Sequence, residues 1–272
     1  MSFYTSLSGL KGAQSDLSTI SNNVANVGST AFKKSRAEFG DIFAAGSAIG
    51  QGVRTNVSQQ FTQGTLEATD KTLDLAITGE GFFTVSTPPS NQIGYTRNGA
   101  FSLDEDRYVV DTTGSRLQVL PVDAAGSITG TSASDLTDLV VPTESGGLDA
   151  NGNPIPLSGL DISQTGLVTA TFADGSTQAL GNVAMASFPS QEGLLQSGDA
   201  HWRASGASGN AVYGAAGSGS FGSLESGALE RSNVDITEEL VALISAQRNF
   251  QANAKAIETA GTMTQAIVNL RT

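Results

Sequence analysis

Residues 233–271 read NVDITEELVALISAQRNFQANAKAIETAGTMTQAIVNLR, and this pattern predicts one long amphipathic helix. Asp235 is a preferred N-cap residue, and Glu238 follows three positions later, as in a capping box. Glu239 adds a negative charge to the first turn and Arg271 a positive charge to the last, so both suit the helix dipole. The apolar stripe has a 4-3 spacing that shifts towards the end of the helix, and its members are Ile236, Leu240, Leu243, Gln247, Phe250, Ala254, Ile257, Met263, Ile267 and Leu270.

A 4-3 spacing is typical of a coiled-coil seam, which packs against a second helix. The first 26 residues predict such a helix, and Gly28 follows where a left-handed C-cap would end it. Its stripe consists of Phe3, Leu7, Leu10, Gln14, Leu17 and Val24, with Ile20 and Val27 on the flank. We therefore expect the two terminal helices to pair as a coiled coil. The alternative is that each stripe packs on an ordinary globular core.

Polar residues complicate the end of the first helix. Asn22, Asn23 and Asn26 are poor helix formers. Two interpretations stay open for them: a helix end that frays, or polar contacts with neighbouring chains. The basic cluster that follows, at residues 33–36, is interpreted as a solvated face, because three positive charges are too few for a nucleic-acid patch. Four large apolar residues in the same region must dock on other parts of the structure: Phe32, Phe39, Ile42 and Phe43.

The middle of the chain predicts an antiparallel β domain. From Thr72 onwards, short runs of alternating apolar residues are bounded by Gly and Pro, which is a strand signal. Asp174-Gly175 lies between two such runs and predicts a hairpin turn. Residues 143–160 are rich in Gly, Asn and Pro, so we interpret them as a loop.

The expected fold class is α+β, with paired terminal helices, extended connectors and a central antiparallel β domain. The Gly-punctuated connectors have few apolar anchors. The predicted boundaries are 1–32 and 233–272 for the helices, 33–71 and 204–232 for the connectors, and 72–203 for the β-rich domain.

Composition excludes several classes of function. The net charge of −12 argues against general nucleic-acid binding. The absence of cysteine excludes disulfides, thiol catalysis and cysteine-based zinc sites. No apolar run approaches the ~20 residues that a membrane helix requires, and residues 1–15 lack the features of a secretory signal. We therefore expect no membrane insertion and no cleaved signal peptide.

Nothing in the sequence predicts catalysis, a cofactor or a metal site. His201 is the single histidine, and a lone histidine beside Trp202 is far more often structural or exposed than catalytic. Residues 149–153 resemble the start of a calcium loop, but Leu160 stands where the twelfth position requires a bidentate Glu. Residues 217–222 match G-x-G-x-x-G without the flanking strand and helix, so we interpret them as a linker.

Three groups of residues resemble the signatures of bacterial flagellar axial proteins, the rod and hook family. The N-terminal group is SNNVAN at 21–26 with FK at 32–33. The central group is DLAI at 74–77, GFF at 81–83 and YTRNG at 95–99. The C-terminal group is SGALE at 226–230, NVD at 233–235 and AQRNFQAN at 246–253. They occur in order, cover most of the chain and are together highly specific.

Within this family, FGDIF at 39–43, GQGV at 50–53 and VNLR at 268–271 resemble the hook pattern. The chain length resembles the distal rod, because hook subunits usually carry an outer β domain where residues 143–160 lie here. The resemblance therefore implies a non-enzymatic structural subunit of the hook, a tubular flexible joint, or alternatively of the distal rod.

The resemblance also implies partners and a location. The subunit would form a helical homopolymer and would contact flagellar rod and hook-filament junction proteins. It would leave through the flagellar export apparatus without signal cleavage and function extracellularly in the flagellum. The two stripes, with Asn22, Asn23 and Asn26, are the expected assembly interface. We expect the helices to be weakly ordered until neighbouring chains cover them, because their burial and ordering energies nearly cancel.

Overall fold

The structure is a computed structural model that describes residues 2–41, 53–123, 125–148 and 153–269. It divides into two compact units. The first, unit 1, comprises Met1–Gly28, Lys33–Thr62 and Asn233–Thr272. The second, unit 2, comprises Ser29–Phe32 and Gln63–Ser232.

Unit 1 contains two helices and one antiparallel strand pair. The helices are α1 (Ser2–Ala25) and α2 (Ile236–Asn269), and they pack against each other. The strands are β1 (Ser35–Asp41) and β2 (Val53–Gln59), with Ser35 opposite Gln59. The predicted N-cap of α2 is confirmed, because an oxygen of the Asp235 carboxylate accepts the N–H groups of Thr237 and Glu238 at 2.7 and 3.2 Å. Arg271 lies outside the described residues.

Unit 2 is an antiparallel β structure. Its first strands are β3 (Leu66–Ala68), β4 (Leu75–Thr78), β5 (Phe82–Thr87), β6 (Gln92–Thr96), β7 (Ser102–Leu103), β8 (Val109–Val110), β9 (Arg116–Leu120), β10 (Thr137–Asp138) and β11 (Glu144–Leu148). They are followed by β12 (Pro154–Ile162), β13 (Leu167–Phe172), β14 (Thr177–Val183), β15 (Met185–Ser187), β16 (Leu195–Gly198), β17 (His201–Arg203), β18 (Val212–Gly214), β19 (Ser223–Ser226) and β20 (Ala228–Glu230).

The largest sheet of unit 2 runs in the order β11-β12-β13-β14-β9-β5-β6-β17-β16, with shorter strands off this path. β13 shows the expected alternation, because every second side chain is buried. The core includes Leu75, Ile77, Phe83 and Leu117, and the ring of Phe83 packs edge-on against Phe101. The described residues thus form a mostly antiparallel β protein with two helices, which agrees with the α+β prediction.

Of the two predicted local features, the hairpin turn at Asp174-Gly175 and the left-handed C-cap at Gly28, the structure contains the first only. The turn at Asp174-Gly175 is confirmed, since Gly175 has a φ of 81° and joins β13 to β14. The prediction of a left-handed Gly28 is wrong, because the left-handed residue after α1 is Ala31, with a φ of 54°. The buried backbone of Ala31 is fixed by its N–H, which donates to the carbonyl oxygen of Glu230 at 2.7 Å.

The interpretation of residues 143–160 as a loop is wrong. β11 and β12 pair antiparallel within this segment, and β12 continues the sheet through β13. Isoleucine and leucine side chains on β12 supply the apolar face that local Gly, Asn and Pro content conceals: Ile155, Leu157 and Leu160 pack with Phe172. Residues 149–152, the start of the calcium-like pattern, lie outside the described residues.

The segments interpreted as connectors contain strands that pair with one another or with the β domain. β3 pairs with β20, and β4 pairs with β19. Gly222 is packed tightly, because an added Cβ would overlap the carbonyl oxygen of Thr78. A larger residue at 222 would therefore displace β4 rather than only stiffen a linker.

Candidate assembly interface

Two different faces of α2 carry apolar side chains. On one face Ala246 is buried, and Leu243, Phe250, Ala254 and Ile257 are half-buried. On another face large side chains lie open to solvent in the first three turns, and we call Ile236, Leu240, Val241 and Ile244 the exposed ridge; they are 47, 46, 62 and 49% exposed. About half of the surface of these four side chains therefore stays open to solvent.

The predicted stripe of α2 is therefore divided between two faces. Ile236, Leu240, Gln247 and Met263 are exposed, whereas Leu243, Phe250, Ala254 and Ile257 are partly covered. The centre of the buried face is occupied by Glu239 and Ala246, which an apolar pattern search does not select. The side chain of Ile267, and all of Leu270, lie outside the described residues.

The predicted stripe of α1 is only partly covered. Ile20 is buried, Leu7, Leu10, Leu17 and Val24 are half-buried, and Gln14 is exposed. The side chain of Phe3, with Ile42 and Phe43, lies outside the described residues. Gln14 and Gln247 are both exposed, so neither is buried between α1 and α2 in this chain. Asn22 is exposed and Asn26 is half-buried, with its amide donating to the Asn22 carbonyl at 3.0 Å.

Small residues let the elements of unit 1 approach closely. A Cβ added at Gly9 would lie 2.8 Å from Oδ1 of Asn253 on α2. A Cβ added at Gly12 would lie 3.2 Å from the ring of Phe39 on β1. The ring of Phe39 therefore docks on α1, as expected, although half of it stays exposed.

Asn23 connects three elements of unit 1. Its Nδ2 donates to the Ser35 carbonyl at 2.8 Å, and its Oδ1 accepts the Ser35 N–H at 2.9 Å. The same Nδ2 donates to Oε2 of Glu239 on α2 at 3.1 Å. Asn23 is 1% exposed, so this buried amide is neither part of a frayed end nor free for a neighbouring chain.

The basic cluster is only partly a solvated face, because Arg36 is exposed whereas Lys33 is buried and Lys34 half-buried. Lys33 is 1% exposed, and its Nζ donates to the Thr62 carbonyl at 2.8 Å. The Nζ of Lys34 lies 2.8 Å from Oε1 of Glu239 and 3.2 Å from Oε2 of Glu238. Burial lowers the pKa of Lys34, but hydrogen bonds and attraction to both glutamates raise it overall. Glu238 therefore pairs with Lys34, a partner more than two hundred positions away in the sequence.

Asn233 fixes the entry to α2. Its Oδ1 accepts the Lys34 N–H at 2.7 Å, and its Nδ2 donates to the carbonyls of Gln60 and Thr62 at 2.9 and 3.0 Å. The three contacts hold the ends of both strands beside the start of the helix. The SNNVAN, FK and NVD segments are thus joined in one polar cluster, which sequence spacing could not reveal.

Unit 2 has its own junction between distant segments, centred on Glu230. Its Oε1 accepts the Gly64 N–H at 2.8 Å, and its Oε2 lies 3.6 Å from Nη1 of Arg97. Both side chains are nearly inaccessible to solvent. Arg97 also donates from Nη2 to the Gly79 carbonyl at 2.9 Å and lies over the ring of Phe82. The YTRNG and SGALE segments therefore meet at a buried ion pair.

His201 is structural in its geometry. Its Nε2 lies 2.6 Å from Oδ2 of Asp111, and its Nδ1 lies 2.8 Å from the carbonyl oxygen of Asp199. Both ring nitrogens are occupied, so neither is available to activate a serine or threonine hydroxyl. Among the described residues no cluster of three or more His, Cys, Asp or Glu side chains is placed to hold a metal. No helix in the described part of the chain is long and apolar enough to cross a membrane.

These features define a class: two packed terminal helices with an exposed apolar ridge in one unit, and an antiparallel β structure in the other. Comparison with known families identifies it further. The model described as Flagella basal body rod protein matches residues 3–33, and Flagellar hook protein FlgE/F/G D1 domain matches 76–170. The model described as Flagellar basal body rod FlgEFG protein C-terminal matches residues 225–270.

Individual relatives cover the whole chain. The flagellar basal-body rod protein FlgG of Bacillus subtilis is 35% identical over 288 residues, covering 99% of this chain and 98% of the relative. FlgG of Caulobacter vibrioides is 34% identical over 290 residues, with 98% of each covered. The flagellar hook protein FlgE of Salmonella typhimurium is 29% identical over 405 residues, with both chains fully covered. The chain belongs to the flagellar rod and hook protein family.

The matched segments contain four of the side chains that form the Asn23 cluster of unit 1 and the Glu230 junction of unit 2. Asn23 lies in the first matched segment, Arg97 in the second, and Glu230 and Glu239 in the third. Each junction joins side chains from at least two of these segments. The family resemblance noted in the sequence thus corresponds to contacts that hold each unit together.

Proposed function

We propose that this chain is a structural subunit of the flagellar hook, which polymerises into a tubular, flexible joint between rod and filament. Family membership supports an axial subunit, and the FGDIF, GQGV and VNLR segments favour the hook within that family. Because the relatives are hook and rod proteins by name, we propose a non-enzymatic role.

The observation that carries self-assembly is the exposed ridge of α2. Fully burying a large aliphatic side chain contributes about 1.5–3 kcal/mol, and about half of that gain remains for each of these four half-exposed residues in the isolated chain. We propose that the terminal helices pair as a coiled coil in the inner part of the tube and that neighbouring chains cover the ridge. The domain boundaries 1–32, 33–71, 72–203, 204–232 and 233–272 belong to this proposal.

The distal rod is the second candidate, and one observation favours it. The FlgG relatives align over 288 and 290 residues, close to the 272 residues of this chain. The alignment with the Salmonella hook protein extends over 405 residues, so that relative has long segments without a counterpart here. A hook made of this chain would lack those segments.

The proposed partners are further copies of this chain, flagellar rod and hook-filament junction proteins, and the flagellar export apparatus. The proposed location is the flagellum, outside the cell after export. The exposed Asn22 remains available for polar contacts with a neighbouring chain in this proposal, whereas Asn23 does not.

Electron microscopy of basal bodies from cells lacking this chain tests the proposal. A complete rod without a hook is the expected result, and the chain expressed in trans should restore the hook. A rod that ends before its distal part would assign the chain to the distal rod instead. Intact rods and hooks would overturn both assignments.

A further inference from the structure

The ring of His201 is enclosed at the start of β17. The residue is 8% exposed, and both nitrogens have an oxygen partner within 2.8 Å. One partner is the carbonyl oxygen of Asp199 in the β16–β17 turn, and the other is Oδ2 of Asp111 in the turn between β8 and β9. His201 therefore lies between two turns that are ninety residues apart.

Donor and acceptor chemistry fixes the protonation state of this ring. A backbone carbonyl can only accept a hydrogen bond, so Nδ1 has to carry a proton. An ionised carboxylate also only accepts, so Nε2 has to carry a second proton. The two contacts together require the imidazolium form of His201.

The environment of Asp111 keeps that carboxylate ionised. Its Oδ1 accepts the Thr113 N–H at 2.8 Å, the Thr113 hydroxyl at 2.7 Å and the Ser115 N–H at 2.9 Å. Burial raises the pKa of Asp111, but the hydrogen bonds from His201, Thr113 and Ser115 lower it overall. A carboxylate that accepts several N–H and O–H bonds is stabilised in its charged form.

Few other charges face the ring. Asp111 from the β8–β9 turn and Asp199 from its own turn are the two acidic groups, and Arg203 on β17 lines the same cavity of about 180 Å³. The neighbouring positions on the adjacent strands are uncharged: Gly94 and Thr96 on β6, Thr87 on β5, and Ser197 and Gly198 on β16. Asp111 is therefore the acidic side chain in direct contact with the ring, and Asp199 adds a second negative charge nearby.

The turn that His201 holds has an unfavourable backbone. Asp199 and Ala200 have φ values of 49° and 56°, a region that residues with a side chain seldom adopt. Both of their carbonyl oxygens accept a hydrogen bond. The Asp199 carbonyl accepts from His201, and the Ala200 carbonyl accepts from the Thr96 hydroxyl at 2.8 Å. The turn keeps this conformation because the surrounding hydrogen bonds over-determine it.

We infer that His201 is a protonation-dependent latch that binds the β16–β17 hairpin, at the edge of the sheet, to the β8–β9 turn. The imidazolium donates to both turns. Loss of one proton leaves either Asp111 or the Asp199 carbonyl facing a ring nitrogen that no longer donates. The hairpin, whose outer strand β16 is fully exposed, then opens more often from the rest of unit 2.

The groups around His201 determine the pH range in which the latch is closed. Burial lowers the pKa of His201, but the hydrogen bond and charge of Asp111 and the Asp199 carbonyl raise it above the ordinary value of 6.5. A raised folded-state pKa contributes stability that is complete below the ordinary value and is lost as pH rises through the folded-state value. The latch is therefore closed at neutral pH and opens on the alkaline side.

Nitrogen-15 NMR of the full chain tests the protonation state, because His201 is the single histidine and gives one imidazole signal pair. We expect both nitrogens to carry protons at pH 7 and the ring to titrate above 6.5. Asp111→Asn should lower the pKa of His201, because an asparagine amide can donate to a neutral ring. A wild-type ring that is neutral at pH 7 would overturn the inference, whether or not the variant folds.

Hydrogen exchange of the same chain tests the opening. After correction for the intrinsic exchange rate, amides at 195–203 should lose protection as the ring deprotonates. The loss should be about tenfold for each pH unit by which the pKa of His201 exceeds its ordinary value. Amides of β13 serve as the internal control and should not change. Equal protection of the hairpin on both sides of the titration would contradict the latch.

Discussion

Asn23 on α1 and Glu239 on α2 are joined by a direct hydrogen bond of 3.1 Å, although they are 216 positions apart in the sequence. The same amide is paired with both backbone groups of Ser35, and the same carboxylate is paired with Lys34. Three elements of unit 1, namely α1, β1 and α2, therefore depend on one buried cluster. Removing a single member takes a hydrogen-bond partner from the other groups, and Asn23 and Glu239 are both buried.

Replacing Asn23 with alanine should destabilise unit 1 by roughly 2–3 kcal/mol, because both backbone groups of Ser35 lose their side-chain partner and the Glu239 carboxylate keeps only Lys34. Urea unfolding followed by helical circular dichroism would measure this loss, since both helices belong to unit 1. Asn22→Ala is the matched control, because Asn22 is exposed one position away and alanine favours a helix. Equal stability of the two variants would show that the buried cluster contributes nothing.

The ionised side chain of Asp16 is expected to lower the stability of unit 1 at neutral pH. Burial raises its pKa, and repulsion from Glu239 raises it further. A carboxyl with a raised folded-state pKa stabilises the fold below its ordinary value and loses that contribution as pH rises through the folded-state value. Asp16→Asn should therefore raise the melting temperature of the helices at pH 7, and the gain should vanish as pH falls to the ordinary value of 3.8.

Thermal unfolding of both proteins over this pH range would measure the effect of Asp16. Asp106→Asn, an exposed change in unit 2, controls for the lost negative charge and should leave the helical transition unchanged. A gain for Asp16→Asn that is independent of pH would contradict the assignment.

The buried pair of unit 2 should be sensitive to loss of either partner. Glu230→Gln removes the carboxylate that is paired with the Arg97 guanidinium, and loss of one partner costs about 3–5 kcal/mol in comparable buried pairs. Burial lowers the pKa of Arg97, and the charges of Glu230 and Glu80 act against that shift. Urea unfolding followed by Trp202 fluorescence would report on unit 2.

The exposed pair of Arg231 and Glu67 provides the control for Glu230. Their side chains are paired at 2.6 Å but remain about half exposed, so Glu67→Gln should change stability little. A second variant, in which Arg97 and Glu230 are both replaced by leucine, should be less harmful than Glu230→Gln alone. Equal effects of Glu67→Gln and Glu230→Gln would mean that burial of the pair is unimportant.

The sequence pattern correctly predicted the structural features that depend on residues close together along the chain. The two helices, the Asp235 cap and the Asp174-Gly175 turn are local features, and all of them are present. The β11–β12 pair was missed, because strand pairing compensates for a composition that looks like a loop. The predicted stripes contained apolar residues, as a buried face requires. Their spacing could not decide which face of α2 is buried, because Leu240 and Phe250 are both apolar but only Phe250 is largely covered.

The spacing of residues along the sequence could not predict the polar junctions, for a different reason. Asn23, Lys34 and Glu239 are unremarkable in isolation, and only their meeting in three dimensions gives each a role. One signal was present: a lysine pair near one end of the sequence and a glutamate pair near the other have opposite charges. Charge complementarity between the two signature segments could have suggested the contact between Lys34 and Glu239.

Gly99 should tolerate no side chain. An added Cβ would overlap the carbonyl oxygen of Leu75, whose N–H donates to the Gly99 carbonyl at 2.9 Å. Gly99→Ala should therefore yield little soluble protein, or a clearly lower melting temperature of unit 2. Gly159→Ala on β12 is the control, because nothing lies within 4 Å of its added Cβ and its φ is not left-handed. Equivalent behaviour of the two variants would show that the β4 contact yields readily.

The exposed ridge separates folding from assembly. Leu240→Glu or Ile244→Glu places a charge where the isolated chain is open to solvent, so the melting temperature should stay close to that of the wild type. In a polymer that covers the ridge, the same charge would be buried without a partner, and assembly should fail. Sedimentation and electron microscopy of polymer formed from purified chains would measure this, with motility of complemented cells as a second readout. Ala256→Glu adds the same charge at another exposed position of α2 and should assemble normally. Normal polymer from Leu240→Glu would place the contact between chains on a different surface, while failure of all three variants would mean that added charge alone prevents assembly.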